Sequence, residues 1–407
     1  MARLPAHVPH ELVYDIEVLN DPNTLDDPYS VTEGVIETLP PLMFNLNPPG
    51  RAAPGLWVAT RYEDVREIYQ NTDLYSAGHQ SAPQLAVGET FTMIPLSVDP
   101  PDHAKYRILL NPWFSPKSVN ALEPKIRATI NELIDSFEAK GECDGAYDYA
   151  RIFPVKVFLN LMGFPVEKMD EFLVWEYDIL HNFGDQERLK RGVRNALAYV
   201  RGFIEEIRVK PNDGLASHIV HGQVEGRPVT DDEIIGMIFF LWVAGLDTVA
   251  ATTTMILRRL ALFPDVQQTL RDNPDMIPEA IEEFLRFQPL VPAMRQVRHD
   301  HLFRGVMLKA GDQIAGWNNT GNFDPAEFDH PRELRFDRAQ NRHFSLGGGP
   351  HRCLGSHLAR RELRIAIGEF LRRIPQFTLK PGADRKVTPG LPATTQLPLV
   401  WKASPQA

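Results

Sequence analysis

Cysteine is nearly absent. Cys143 and Cys353 are the only two in 407 residues, 210 positions apart. That excludes a disulfide framework, and no zinc site is expected, since zinc needs more thiols or a clustered set of histidines and the sequence shows neither. Met1–Asn20 has no apolar h-region, so no signal peptide is expected. The longest uncharged, mostly apolar run is Ile234–Leu246, 13 residues. It falls short of the ~18 a membrane span needs, so a cytoplasmic protein is expected. Positive charge is also scarce, with 43 Lys and Arg against 53 Asp and Glu for a net charge of −10. Such a balance speaks against general nucleic-acid binding.

What is present is an ordinary globular composition, 43% apolar and 24% charged. The chain is long enough to bury a sizeable core. At ~150 residues per domain its length suggests two or three units. No linker or internal repeat divides it, however, and 1–407 reads as one domain. Residues up to about 100 are loop-rich, with strand-like pieces such as Gly55–Thr60 and a helical pattern over Arg61–Asn71. From about Asp102 to about Phe287 apolar residues recur at helix spacing, in Pro116–Ala139, Pro154–Met162, Val166–Phe183 and Glu187–Val209. Thr230 and Glu233 form a capping box that opens an apolar segment reaching about Leu260. At roughly 30 residues it would be ~45 Å of helix. Apolar on most sides, it is expected to run through the core. Pro278 begins a helix over Glu279–Phe287. The part from about 294 to 345 is strand-like and then irregular, a helix follows over about Gly355–Arg373, and Thr395–Trp401 reads as a strand. The fold class is mainly α with small β-sheets.

Cys353 carries the most information. It follows three consecutive glycines, Gly347 to Gly349, in a bend leading into the last helix. Free amides and the positive dipole end at a helix start favour thiolate over thiol, and basic His351 and Arg352 stand beside it. A buried free cysteine, or a nucleophile partnered by His351 or His357, remains open at this point, although no protease signature surrounds it. A second feature is Ala244–Thr248 in the middle of the apolar segment. Gly245 and Thr248 are poor helix formers, and Asp247 is costly there without a partner. A threonine hydroxyl can take over a backbone carbonyl and open a groove holding an acid and an alcohol. Glu283 and Arg286 are spaced i,i+3, a pairing commonplace on helix surfaces. His103 and Arg107 form another ordinary pair, but together with Arg295 and His351 they would supply convergent donors for carboxylates.

Taken in order, these motifs resemble the cytochrome P-450 monooxygenases of the soluble bacterial class, most of all the camphor-hydroxylase type. The likeness also takes in Ser97–His103 and the Leu397–Trp401 ending. It implies a non-covalent haem b lying between the long central helix and the cysteine-loop helix, with Cys353 as the axial iron ligand. A thiolate pushes electron density to iron and favours O–O cleavage. By the same resemblance His103, Arg107, Arg295 and His351 hold the propionates. Glu283 and Arg286 form a buried structural pair with Arg338 as third member, and Asp247 and Thr248 supply protons during O2 activation. Phe91, Met93, Phe240, Val243, Ala244, Leu290, Val291 and Leu391 would line the substrate pocket.

The implied reaction is hydroxylation of a small apolar substrate, a terpenoid or norisoprenoid of roughly ten to thirteen carbons in a pocket that selects by shape. Two departures bear on this. Leu346 stands where the family's cysteine loop usually starts with Phe. Phe91 stands where camphor-type relatives place a Tyr to hold a keto group. The chain has no flavin, nicotinamide or iron–sulfur signature, so electrons are expected from a [2Fe–2S] ferredoxin fed by an NAD(P)H-dependent reductase. Arg352, Arg360, Arg361 and Arg364 would form the basic docking face. A haem sensor without turnover and a peroxide-driven hydroxylase are the competing readings, and the acid–alcohol pair argues against both. A monomer is expected.

Overall fold

The computed structural model describes residues 4–14, 38–46, 55–78, 82–181, 185–383, 387 and 394–402. Helices dominate. Those that position the site are α1 (Tyr62–Gln70), α2 (Asp102–Leu110), α3 (Pro116–Asp135), α4 (Ile152–Met162), α5 (Met169–Leu180), α6 (Gln186–Val209), α7 (Asp231–Leu246), α8 (Thr248–Leu262), α9 (Ile277–Phe287) and α10 (Ser356–Arg373). The strands used below are β1 (Leu56–Ala59), β2 (Ala293–Val297), β3 (Gln313–Gly316) and β4 (Pro398–Trp401).

The capping box at the start of α7 is complete. Thr230 Oγ1 accepts from the Glu233 amide, and Glu233 returns the bond to the Thr230 amide. The apolar segment it opens is two helices, with Asp247 at the joint between α7 and α8. By length and composition Asp231–Leu262 could cross a membrane, but most of it is buried inside the protein. Trp242, Ile256 and Leu257 have no exposed surface. It is the axis of a large apolar core that also takes in α3 to α6, α9 and α10.

A six-stranded sheet joins the two loop-rich parts of the chain. Pieces of the first 100 residues pair with β2 and β3, and β3 runs parallel to β1 while antiparallel to β2. A smaller apolar core lies against it, with Trp57, Tyr69 and Phe344. Phe344, next to the cysteine loop, therefore packs on the N-terminal helix α1 through the Tyr69 ring, 5.4 Å away and edge-on. The C-terminal strand β4 is shorter than expected and pairs with Phe377–Leu379 and Glu142–Asp144.

Candidate functional site

The cysteine loop is wedged against α1. Gly349 has φ +61°, and a β-carbon there would come within 2.2 Å of the Tyr69 carbonyl oxygen. Only glycine allows that approach. The Cys353 amide then donates to the Leu346 carbonyl at 2.8 Å. This is a backbone role, so Leu346 serves it regardless of its side chain. α10 starts three residues after the cysteine, at Ser356.

The Gly355 amide does point at the Cys353 sulfur, as expected of a helix entrance, and Arg107, Arg360 and Arg352 add positive charge. Burial nevertheless outweighs them and pushes the thiol up from its ordinary value. Burial thus opposes the helix-entrance amide and the arginines, which pull the other way as the sequence suggested. Cys353 is nonetheless an exposed residue as a whole, although its thiol is surrounded by protein.

A cluster of donors stands nearby. His103 on α2 is 4% exposed and Arg295 on β2 equally buried. The His103 and His351 rings are 4.4 Å apart. Neither Nε2 has a hydrogen-bond partner among the described residues. Burial, followed by Arg107, carries His103 down to about 4. Burial and then Arg295 carry His351 to about 3. Arg107 donates to the Arg352 carbonyl at 2.9 Å, tying α2 to the cysteine loop. Arg295 lies over the Tyr69 ring at 5.7 Å. Asp99 is a carboxylate whose charge reaches His103, His351 and Arg295, so the cluster has more donors than anions.

At the joint of the central helix, Thr248 Oγ1 donates to the Ala244 carbonyl at 3.1 Å. Asp247 Oδ2 lies 2.9 Å from His181 Nε2, and Glu176 Oε1 is 3.6 Å from the same nitrogen. Glu176 is 2% exposed. Burial, and then the charge of Asp247, push its carboxyl well above the ordinary range. Neither Glu176 nor His181 was foreseen. An acid at a buried position of the apolar helix α5 is the signal that could have found the first.

Phe240, Val243, Ala244 and Thr248 are half-buried, as are Gly245, Asp247 and Val249 around the joint. Phe91 and Met93 are buried, with the Phe91 ring edge-on to Phe239 at 5.6 Å. Gly236 lets their loop meet α7, because a β-carbon there would sit 2.0 Å from the Thr92 carbonyl oxygen. Leu290 is half-buried, while Val291 is 51% exposed. Leu391 lies outside the described residues.

Glu283 and Arg286 on α9 are both wholly buried and joined by two 2.8 Å hydrogen bonds. Arg338 Nε adds bonds of 3.0 and 3.1 Å to the same carboxylate. Asn341 and the Arg335 amide add two more, at 2.9 and 3.0 Å. The basic face is less free than expected. Arg360 is bidentate to Glu282, Arg361 is paired with Glu123, and Arg364 lies 3.7 Å from Glu282. Arg352 is exposed.

Comparison with known proteins gives a consistent answer. The family model described as Cytochrome P450 matches residues 176–402. The chain is 36% identical to the probable cytochrome P450 127A1 of Sinorhizobium fredii, over 93% of this chain and 92% of that protein. The crystal structure of cytochrome P450 CYP101C1 superposes with a TM-score of 0.84 at 33% identity, covering 98% of this chain and all of the other. That of CYP101J2 gives a TM-score of 0.86 at 30% identity, covering 99% and 100%.

Proposed function

From the premise that this chain belongs to the cytochrome P450 family, we propose that it hydroxylates a small apolar terpenoid or norisoprenoid in the cytoplasm, with Cys353 as the axial ligand of its haem. It is a monooxygenase that uses non-covalently bound haem b. When bound, the haem supplies O2 activation and the bond-breaking chemistry.

The residues present fit that group. Cys353 offers a thiol in the glycine loop at the entrance of α10, with the Gly355 amide pointing at it. His103 and His351 offer two nitrogens without partners among the described residues, beside the buried Arg295 guanidinium. A pair of propionates is the anionic complement such a cluster is short of, and charge-assisted hydrogen bonds to carboxylates are strong. We assign His103, Arg107, Arg295 and His351 to hold them. At the joint of the central helix, Thr248 holds a proton on Oγ1, donated to the Ala244 carbonyl, and Asp247 exchanges a proton with His181. The half-buried apolar face of α7 keeps bulk water away. Glu283, Arg286 and Arg338 fix the irregular segment that precedes the cysteine loop.

The placing of Cys353 in a glycine loop wedged on α1, three residues before α10, is the observation that carries this reading. For the substrate class the support is the apolar rim of Phe91, Met93, Phe240 and Val243, which has no hydrogen-bonding group for a ketone. An apolar pocket selects by buried area and discriminates weakly per methylene. Electrons are assigned to a [2Fe–2S] ferredoxin with its NAD(P)H-dependent reductase, and the protein acts as a monomer.

Titrating the ferric protein with terpenoids and norisoprenoids while following the Soret band tests the assignment. A shift toward high spin with one compound class identifies the substrate. Haem incorporation without any shift across the panel removes the terpenoid reading. A Cys353→Ser protein that keeps the wild-type ferrous-carbonyl spectrum removes the ligand assignment.

A further inference from the structure

We infer that Glu176, His181 and Asp247 form a site for a divalent transition-metal ion of the zinc type, set between the end of α5 and the joint of the central helix. One donor atom from each residue, the His181 nitrogen and two carboxylate oxygens, lies within 4.8 Å of the others. His181 Nε2 faces both acids, at 2.9 Å from Asp247 Oδ2 and 3.6 Å from Glu176 Oε1. Tetrahedral zinc with bonds of ~2.0–2.2 Å holds its donors about 3.3 Å apart, between those two values. The two carboxylate oxygens lie within 4.8 Å of each other, and rotation of the two carboxylate side chains would bring them to that spacing.

A second observation points to a ligand. Glu176 is almost wholly buried, and its Oε1 has no hydrogen-bond partner among the described residues although it is aimed at the imidazole. A carboxyl oxygen left without a partner in a low-dielectric interior is costly, and an ion shared with Asp247 would satisfy it, releasing the proton that burial favours on Glu176. The scaffold is rigid. His181 stacks on Tyr177 at 5.2 Å. It also caps the C-terminal end of α5, where the helix dipole favours a cation. One imidazole with two carboxylates suits zinc, cobalt or manganese. It is too nitrogenous for a calcium cage and lacks the sulfur that copper(I) selects.

Occupancy would withdraw Asp247 from proton exchange, so the ion would act as an inhibitor that uncouples NADH use from product. That consequence rests on the role proposed for Asp247; metal binding does not.

The test is equilibrium dialysis of untagged, chelator-stripped holoprotein against zinc, with bound metal counted by mass spectrometry. His181→Gln and Glu176→Gln are compared with His330→Gln. The last removes an exposed histidine 3.5 Å from both Asp329 and Glu333, a control for surface binding. An unchanged Soret band certifies each variant as folded. One zinc per chain is expected, with affinity reduced by at least about tenfold in the first two variants, because even outer-shell changes cost that much. The control should bind as wild type. Zinc binding that survives both substitutions, fails in wild type, or is lost in the control overturns the site. Site-specific binding with unchanged product per NADH keeps the site and instead removes Asp247 from proton delivery.

Discussion

Thr248 donates its hydroxyl to a carbonyl of its own helix, and its neighbour Asp247 reaches the other way, to His181. The pair therefore straddles the break in the central helix, one member bonded within it and the other facing α5. Thr248→Ala should leave the substrate-induced Soret shift intact and lower product per NADH by about tenfold or more, since a positioned proton donor is worth at least 10²-fold. The missing reducing equivalents should appear as peroxide. Wild-type coupling in the variant would remove Thr248 from the role assigned to it. At this scale the sequence was partly legible. A lone aspartate among buried apolar residues announces that it needs a partner, and Thr248 announces a local break. The partner itself is 66 residues away and is brought up by tertiary packing alone. No spacing rule could have chosen His181 over the other histidines.

Helix boundaries were the more readable elements. The capping box at Thr230, Pro278 near the start of α9 and the glycines before α10 each act through local backbone chemistry, which a sequence displays directly. The long helix was less so, because whether Asp247 kinks the helix or ends one and starts another depends on what Thr248 Oγ1 bonds. The opposite held for α9. An i,i+3 Glu–Arg pair looks like surface decoration, yet Glu283 and Arg286 are wholly buried because the irregular segment from Arg335 to Asn341 folds back over them. Glu283→Gln should destabilise the protein by about 3–5 kcal/mol, the typical effect of stripping one partner from a buried pair. Chemical denaturation followed by circular dichroism would measure it; a loss under about 1 kcal/mol would show the pair to be dispensable. Burial raises the Glu283 carboxyl, but Arg286, the Arg335 amide and Arg338 outweigh burial and hold it below the ordinary range. Its contribution is accordingly complete above the unfolded-state value and is lost as pH falls through the lower folded-state one. The Gln variant should lose less stability on acidification than wild type.

For the whole molecule, the net charge of −10 is unevenly spread. Behind the cysteine loop, Arg360 and Arg361 are already held by Glu282 and Glu123, which leaves Arg352 as the exposed charge of the group. An acidic ferredoxin would be steered mainly by that residue. Arg352→Glu should slow ferredoxin-driven reduction by about tenfold at low ionic strength, with the difference shrinking as salt is added. Arg361→Glu should slow it less. Dithionite reduction of the same proteins provides the control; equal rates with ferredoxin across all three would move docking to another face. The apolar core along Asp231–Leu262 also explains why a helix that could cross a membrane by composition serves as the axis of a packed interior.

The Gly349–Tyr69 contact has a consequence in time. The two residues are 280 positions apart, and the loop holding Cys353 reaches its shape only by resting on α1. On the ribosome α1 emerges some 280 residues before the loop. Long-range closure of this kind is entropically slow. Placing the Cys353 sulfur thereby waits on a long-range closure, so the haem-holding loop takes its shape only once α1 is there to rest on.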